Sequence, residues 1–164
     1  MKISIQELRE RASQVLKEAD ISGVRLVRMD CRGSHPKGGG TLVVSAQVDV
    51  SGSSPSSTQV EAGVRYAVRA ALGEDDNAEE AWTVKVELAA TWDHPHPEKF
   101  EELDFQCFAM AMGLPTIHPY ARELLQSTVT RMGFPPYVIE MIEPVTARPD
   151  SEELDIEVTA KENA

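Results

Sequence analysis

Residues 58–72 read TQVEAGVRYAVRAAL, and apolar side chains occupy every second position from Val60 to Leu72. Polar side chains such as Glu61, Arg65 and Arg69 lie between them. This period of two is typical of a β-strand that has one buried and one solvated face. The stretch therefore predicts a strand of an antiparallel sheet that is covered on one side.

The segments on both sides of this strand repeat the pattern. Residues 41–50 and 82–92 alternate clearly, and residues 21–31 alternate less regularly. Segments rich in turn-forming residues separate these four candidates, which is typical of connections between antiparallel strands. These connections are residues 33–40, 51–57 and 73–79. We therefore predict a four-stranded antiparallel sheet.

Helical spacing replaces the period of two after Pro97. The pattern predicts one helix over residues 98–112 and a second helix that ends near Met132. Gly113 and Pro115 are expected to break the chain between the two helices. The sequence thus predicts an α+β domain with two C-terminal helices packed on one face of the sheet.

The two ends of the chain differ in character. Residues 1–20 form an amphipathic pattern, and we predict an N-terminal helix with Ser4 as its N-cap and Glu7 completing a capping box. Residues 146–164 are rich in acidic side chains, and we expect a disordered tail there. Residues 1–145 would then form a single domain.

Charge and cysteine content exclude several classes of function. A net charge of −11 argues against nucleic acid and against an anionic membrane surface, since both attract clustered Lys and Arg. Cys31 and Cys107 form neither a disulfide framework nor a paired zinc motif, and we expect free thiols. No apolar signal segment or membrane-length run is present in the sequence. We therefore expect a cytoplasmic protein that does not insert into the membrane.

The most suggestive enzymatic feature is the turn at residues 92–98. Asp93, His94, His96 and Glu98 could in principle hold zinc, which would favour a metal-dependent enzyme. The alternative is a polar turn between a strand and a helix. No combination of nucleophile, base and orienting group is evident in the sequence, so we expect no catalysis, no cofactor and no metal.

Aromatic and methionine side chains are concentrated after residue 80. Flexible Met side chains together with aromatic rings suit a groove that accepts varied partners. Packing of helices on a sheet needs the same residue types, so core and groove both remain open interpretations. The candidate groove residues are Trp82, Trp92, Phe100, Phe105, Phe108, Met110, Met112, Phe134 and Tyr137.

Residues 113–136 read GLPTIHPYARELLQSTVTRMGFPP. This stretch resembles the most distinctive segment of the SecB family of export chaperones. Residues 119–123, Pro-Tyr-Ala-Arg-Glu, match the core of that segment, and the Phe134-Pro135 pair matches its end. The order of four strands, two helices and a tail is similar to the family as well.

The resemblance implies an ATP-independent holdase, which keeps aggregation-prone polypeptides unfolded in long apolar grooves. It also implies a homotetramer, a dimer of dimers with the sheets outside and the long helices between the dimers. The implied partners are unfolded client polypeptides, with SecA or an antitoxin as further candidates. Residues expected to support the architecture or the oligomer are Tyr120, Arg122, Glu123, Leu124 and Thr128.

Three departures from the family pattern indicate a divergent SecB-like protein. The loop at residues 33–40 lacks the aromatic side chains that help to line the family's groove. Asp20 matches the acidic SecA-docking pattern, but Val24 and Lys85 replace expected acids. The helix at residues 1–20 also lengthens the usual start. Some divergent members guard the antitoxin of a toxin–antitoxin pair. The alternative function is an oligomeric adaptor with one dedicated folded partner.

Overall fold

The computed structural model describes residues 1–73 and 77–157, and four long strands dominate it. The elements in chain order are β1 (Lys2–Ser4), α1 (Ile5–Leu16), β2 (Asp20–Gly33), β3 (Leu42–Ser56), β4 (Gln59–Leu72), β5 (Glu79–Asp93), α2 (Glu102–Phe108), a π-helical turn (Ala109–Gly113), α3 (Leu114–Arg131) and β6 (Glu153–Asp155). Short 3-10 turns cover Pro97–Lys99 and Val145–Ala147. No helix in the described ranges is both long and apolar enough to cross a membrane.

The four long strands form one antiparallel sheet in the order β2-β5-β4-β3. Val64 of β4 lies opposite Val50 of β3 and Leu88 of β5, so all three side chains point to the same face. We call this apolar side the inner face and the charged side the outer face. The sheet predicted from the alternating pattern is confirmed.

The C-terminal helices cover the inner face of the sheet and form the main core with it. Helix α3 packs on β4 and β5, while α2 packs on β3 and β4. Trp92 of β5 contacts Phe108 of α2 edge to face, with ring centroids 4.9 Å apart. Ile117 and Leu125 of α3 are fully buried in the same cluster.

The break predicted at Gly113 and Pro115 is wrong. The chain remains helical from Glu102 to Arg131, because a π-helical turn joins α2 to α3. Gly113 lies so close to Ala62 of β4 that an added Cβ would stand 2.2 Å from the Ala62 Cβ. Glycine is therefore needed there for close packing of the helix on the sheet.

The two ends of the chain meet each other in a second apolar cluster. Strand β1 pairs antiparallel with β6, and Ile3 lies opposite Leu154. Ile5 and Leu8 of α1 pack with Val145 and Ile156. Cys107 and Ala111, from α2 and the π-helical turn, complete this cluster.

Two expectations about the chain ends therefore need correction. The helix expected over residues 1–20 spans only Ile5–Leu16; the Ser4 hydroxyl accepts the Glu7 N–H as its N-cap, at 3.1 Å. The tail expected to be disordered from residue 146 instead contains β6 and packs on the domain through Ile156. The side chain of Ile156 is buried and makes an apolar contact that the acidic composition of this segment does not suggest. The last seven residues of the expected tail lie outside the described residues.

Candidate functional site

The helices leave the inner face of β3 partly exposed over residues 42–48. Val44 and Val48 lie opposite buried Ala70 and Tyr66 of β4, yet they are 36% and 40% exposed. Leu42 and Ala46 share their face, and we call these four side chains the β3 strip. The strip is an apolar surface at one edge of the sheet, where another polypeptide could bury it.

The opposite edge of the sheet has a similar apolar side. Ile21 and Leu26 of β2 lie opposite buried Trp92 and Leu88, and they are 56% and 47% exposed. A helix is about 10 Å wide and neighbouring strands are about 4.8 Å apart, so one layer of helix covers about two strands. This geometry leaves part of the apolar face of each edge strand in contact with solvent.

The two edge strands differ in how well they could accept another strand. Strand β2 has irregular register at Ile21/Gly23 and at Leu26/Arg28, and Arg25, Asp30 and Arg32 add further charge. Strand β3 keeps a regular register from residue 42 to residue 53, and Asp49 is its single charged residue over that length. Bulges and charges obstruct pairing at an edge, so β3 is the edge open to pairing.

One side chain closes part of the β3 edge. The Gln106 amide of α2 donates from Nε2 to the Val50 carbonyl at 2.8 Å. The Gly52 N–H donates to Gln106 Oε1 at 2.9 Å. An added Cβ at Gly52 would stand 2.0 Å from the Phe105 carbonyl oxygen, so glycine allows α2 to approach the strand this closely.

A small group of aromatic rings lies beside the loop that precedes β3. The His35 ring stacks on Phe134 with centroids 6.1 Å apart, and Tyr137 lies 5.7 Å from Trp82. The Ser34 N–H donates to the Ala81 carbonyl at 2.8 Å and holds the loop against the first residues of β5. Residues 33–40 contain no Phe, Trp or Tyr, so the imidazole of His35 is the ring that this loop brings to the group.

Four of the nine predicted groove residues belong to the core. Trp82, Trp92, Phe105 and Phe108 are buried beneath the helices, so they have almost no surface to offer a client, and their assignment to a groove is corrected. The remaining five are half-buried and lie in three separate places. Phe134 and Tyr137 lie near the loop, Met110 and Met112 pack against the second cluster, and Phe100 lies against His94.

The sequence interpretation missed the exposed strips because it assigned their residues to the buried faces of strands. The alternating pattern is the same in a covered strand and in an uncovered one. The width of a helix is the signal that could have identified the exposed strips, because a single layer of helix cannot cover all four strands.

The predicted architectural residues lie on or near the outward side of α3. Tyr120 is 54% exposed, so it does not support the architecture by packing inside the chain, and a contact with another copy is still open to it. Arg122 reaches Met141 Sδ at 3.2 Å, and Glu123 is exposed. Leu124 and Thr128 are half-buried.

A cleft of about 800 Å³ separates α3 from the segment that follows it, with Pro119, Val138 and Met141 among its walls. His118 forms its floor and bonds the Tyr66 hydroxyl through Nδ1, at 3.0 Å, and the Glu140 carbonyl through Nε2, at 2.9 Å. Burial raises the pKa of the Tyr66 hydroxyl well above its ordinary value. The two hydrogen bonds of His118 therefore fix the segment after α3 to the helix and to β4.

The candidate metal ligands do not converge. His94 is buried, and its Nδ1 accepts the His96 N–H at 3.0 Å, while His96 turns towards Glu98. Asp93 instead faces Gln59 across the strands. Residues 1–73 and 77–157 contain no group of three or more His, Cys, Asp or Glu side chains placed to hold a metal ion.

Cys107 does not have the environment of a reactive thiol. Burial in the second cluster raises the pKa of its thiol to about 11, so it is protonated at neutral pH.

No protein-family model matches the chain, and no curated protein sequence matches it. Among solved structures, the SecB-like chaperone Rv1957 of Mycobacterium tuberculosis, in complex with a ChAD peptide from the Rv1956 HigA1 antitoxin, has a TM-score of 0.68 and 19% identity. The match covers 84% of this chain and 99% of that one. The chain has a SecB-like fold. The resemblance read from residues 113–136 is thus confirmed at the level of the fold.

A protein of unknown function from Streptococcus agalactiae also matches, over 76% of this chain and 98% of that one. Its TM-score is 0.34 and its identity is 9%, so it supports no conclusion about this SecB-like chain.

Proposed function

We propose that this chain is an ATP-independent holdase that binds unfolded or aggregation-prone polypeptides. The observation that carries the proposal is the β3 strip, an apolar surface beside an edge strand of regular register. An unfolded chain exposes apolar side chains and unpaired peptide groups. The strip can bury the side chains, and the edge can pair with the peptide groups.

Single contacts of this kind are weak, and repetition would make them useful. The proposed homotetramer would present four such strips to one client. Binding at one strip raises the local concentration of client segments at the next. Tyr120 and Glu123 are exposed on the outward side of α3. Their exposure supports the proposal that this side of the helix forms the contact between dimers.

For the natural client, we propose an antitoxin-like polypeptide in the cytoplasm. The mycobacterial neighbour with the same fold was solved with an antitoxin peptide, which supports this choice. The outer face of the sheet carries both basic and acidic side chains, so it is not an acidic surface. Arg25 pairs with Glu61 at 2.9 Å, and Arg65 pairs with Glu87 at 3.4 Å. SecA docking through acidic side chains, and with it a role in protein export, is the less supported alternative.

The proposal is tested by light scattering from a denatured, aggregation-prone protein that is diluted into buffer without ATP. We expect stoichiometric amounts of this chain to suppress most of the scattering, because bound segments are removed from self-association. Bovine serum albumin at the same mass concentration is the control for crowding. Unchanged scattering from a folded preparation would contradict the holdase and favour the adaptor with one dedicated partner.

A further inference from the structure

The hydrogen bonds of Gln106 reveal which peptide groups of β3 face outward. The Gly52 N–H and the Val50 carbonyl bond the side chain of Gln106. Peptide groups two residues apart in a strand point the same way, and those between them point to the neighbouring strand. The N–H and C=O groups of Val44, Ala46 and Val48 therefore face the open edge. Their side chains form the β3 strip.

The Gln106 side chain imitates a paired peptide group. Its amide offers one donor and one acceptor, as a backbone peptide does, and it engages a carbonyl and an N–H two residues apart in the strand. At Gly52 the backbone of α2 covers the inner face of the strand, and Gln106 extends from it to the edge. The open part of the edge therefore ends at residue 48.

We propose that Gln106 is a specificity-determining residue that limits how long a segment can pair with β3. This rests on the proposed binding of unfolded polypeptides. The occupant is an extended client segment with an apolar residue at every second position. Such a segment pairs with residues 42–48 and buries the β3 strip. Because the Gln106 amide already occupies Val50 and Gly52, residues beyond that length gain no further hydrogen bonds.

The size of the strip favours a client segment over a second copy of the chain. A stable dimer buries about 800 Å² on each partner. The strip comprises four small or medium side chains, and Val44 and Val48 are each well under half exposed. An area this small suits a single strand of about five to seven residues, the usual strand length, which adds backbone hydrogen bonds to side-chain burial.

The test measures the affinity of the full chain for synthetic peptides of alternating valine and threonine, from about five to about eleven residues long. With wild type, we expect affinity to rise with length and level off at about seven residues, the length of the open edge. With Gln106→Leu, the rise should continue and leave the longest peptides about threefold to tenfold tighter, because Val50 and Gly52 become available. Gln47→Leu, on the outer face of β3, is the matched control and should behave as wild type.

Hydrogen exchange separates this role from a merely structural one. We expect the Gly52 amide to be slow in free wild type and fast in free Gln106→Leu, and a long peptide should slow it again in the variant. Gln106→Glu retains an acceptor for Gly52 and provides a second folded variant. A plateau at the same length in wild type and Gln106→Leu would overturn the assignment. The assignment would also be overturned if the chain suppressed aggregation but bound no peptide. If the chain did neither, the holdase function itself would be refuted.

Discussion

Lysine at both Val44 and Val48 is expected to remove most of the suppression of aggregation while leaving the chain folded. Both side chains are partly exposed on the β3 strip, so a lysine stem can lie on the sheet while its ammonium reaches water. A bound client would have to bury those charges, which costs several kcal/mol unless each is paired. We expect client affinity to fall at least tenfold, or about 1.4 kcal/mol, as measured by the scattering assay.

Ser45→Lys together with Gln47→Lys is the matched control for this pair. The two changes add the same charge to the same strand, but these side chains lie on the outer face. We expect this double variant to suppress aggregation as wild type does. Equal losses in the two double variants would mean that charge alone matters, and that the β3 strip is not the binding surface.

Replacement of Phe108 by alanine is expected to cost about 3–5 kcal/mol of the free energy of unfolding. Phe108 is fully buried, and its ring contacts the Trp92 ring at 4.9 Å. The change leaves a cavity between α2 and the sheet, at the point where the helical layer is joined to β5. Urea denaturation at fixed protein concentration measures the loss.

Phe134→Ala provides the comparison for that prediction. The Phe134 ring is half-buried and has His35 stacked on it, so its removal opens no enclosed cavity. We expect a clearly smaller loss of stability than for Phe108→Ala. If Phe108→Ala cost no more than Phe134→Ala, Phe108 would not be a core residue, and its earlier assignment to a groove would regain support.

The sequence predicted the sheet well because the relevant signal is local. Alternation at residues 58–72 directly records which face of β4 is buried, and in the structure every second residue from Val60 to Ala70 is buried. The amphipathic pattern of α1 and the cap at Ser4 are local signals of the same kind. Each depends on residues only a few positions apart, so a single sequence is sufficient.

The features that the sequence did not predict depend on residues far apart in the chain. Glycine often ends a helix, but Gly113 lies within the continuous helical segment and packs against Ala62, about fifty positions earlier. Gln106 has an ordinary helical spacing, and nothing in its own segment indicates that it bonds Val50 and Gly52. Ile156 lies in an acidic segment that looked unstructured, and it is buried by the other end of the chain.

The candidate site was misplaced for a related reason. Large aromatic residues were assigned to the groove because they suit binding surfaces, but in this fold most of them fill the space between helix and sheet. The exposed surface is formed by valines whose local pattern is that of a core strand. Only the width of the helical layer, a property of the whole fold, decides which strands are covered.

The most direct test of binding at the β3 strip is hydrogen exchange on the chain, alone and with a reduced, alkylated and therefore permanently unfolded protein. We expect the client to slow exchange at Val44, Ala46 and Val48, whose N–H groups face the open edge. Exchange in β2 should change much less, because its edge is bulged and charged. Protection confined to β2 or to the cleft beside α3, with residues 42–48 unchanged, would contradict binding at this edge.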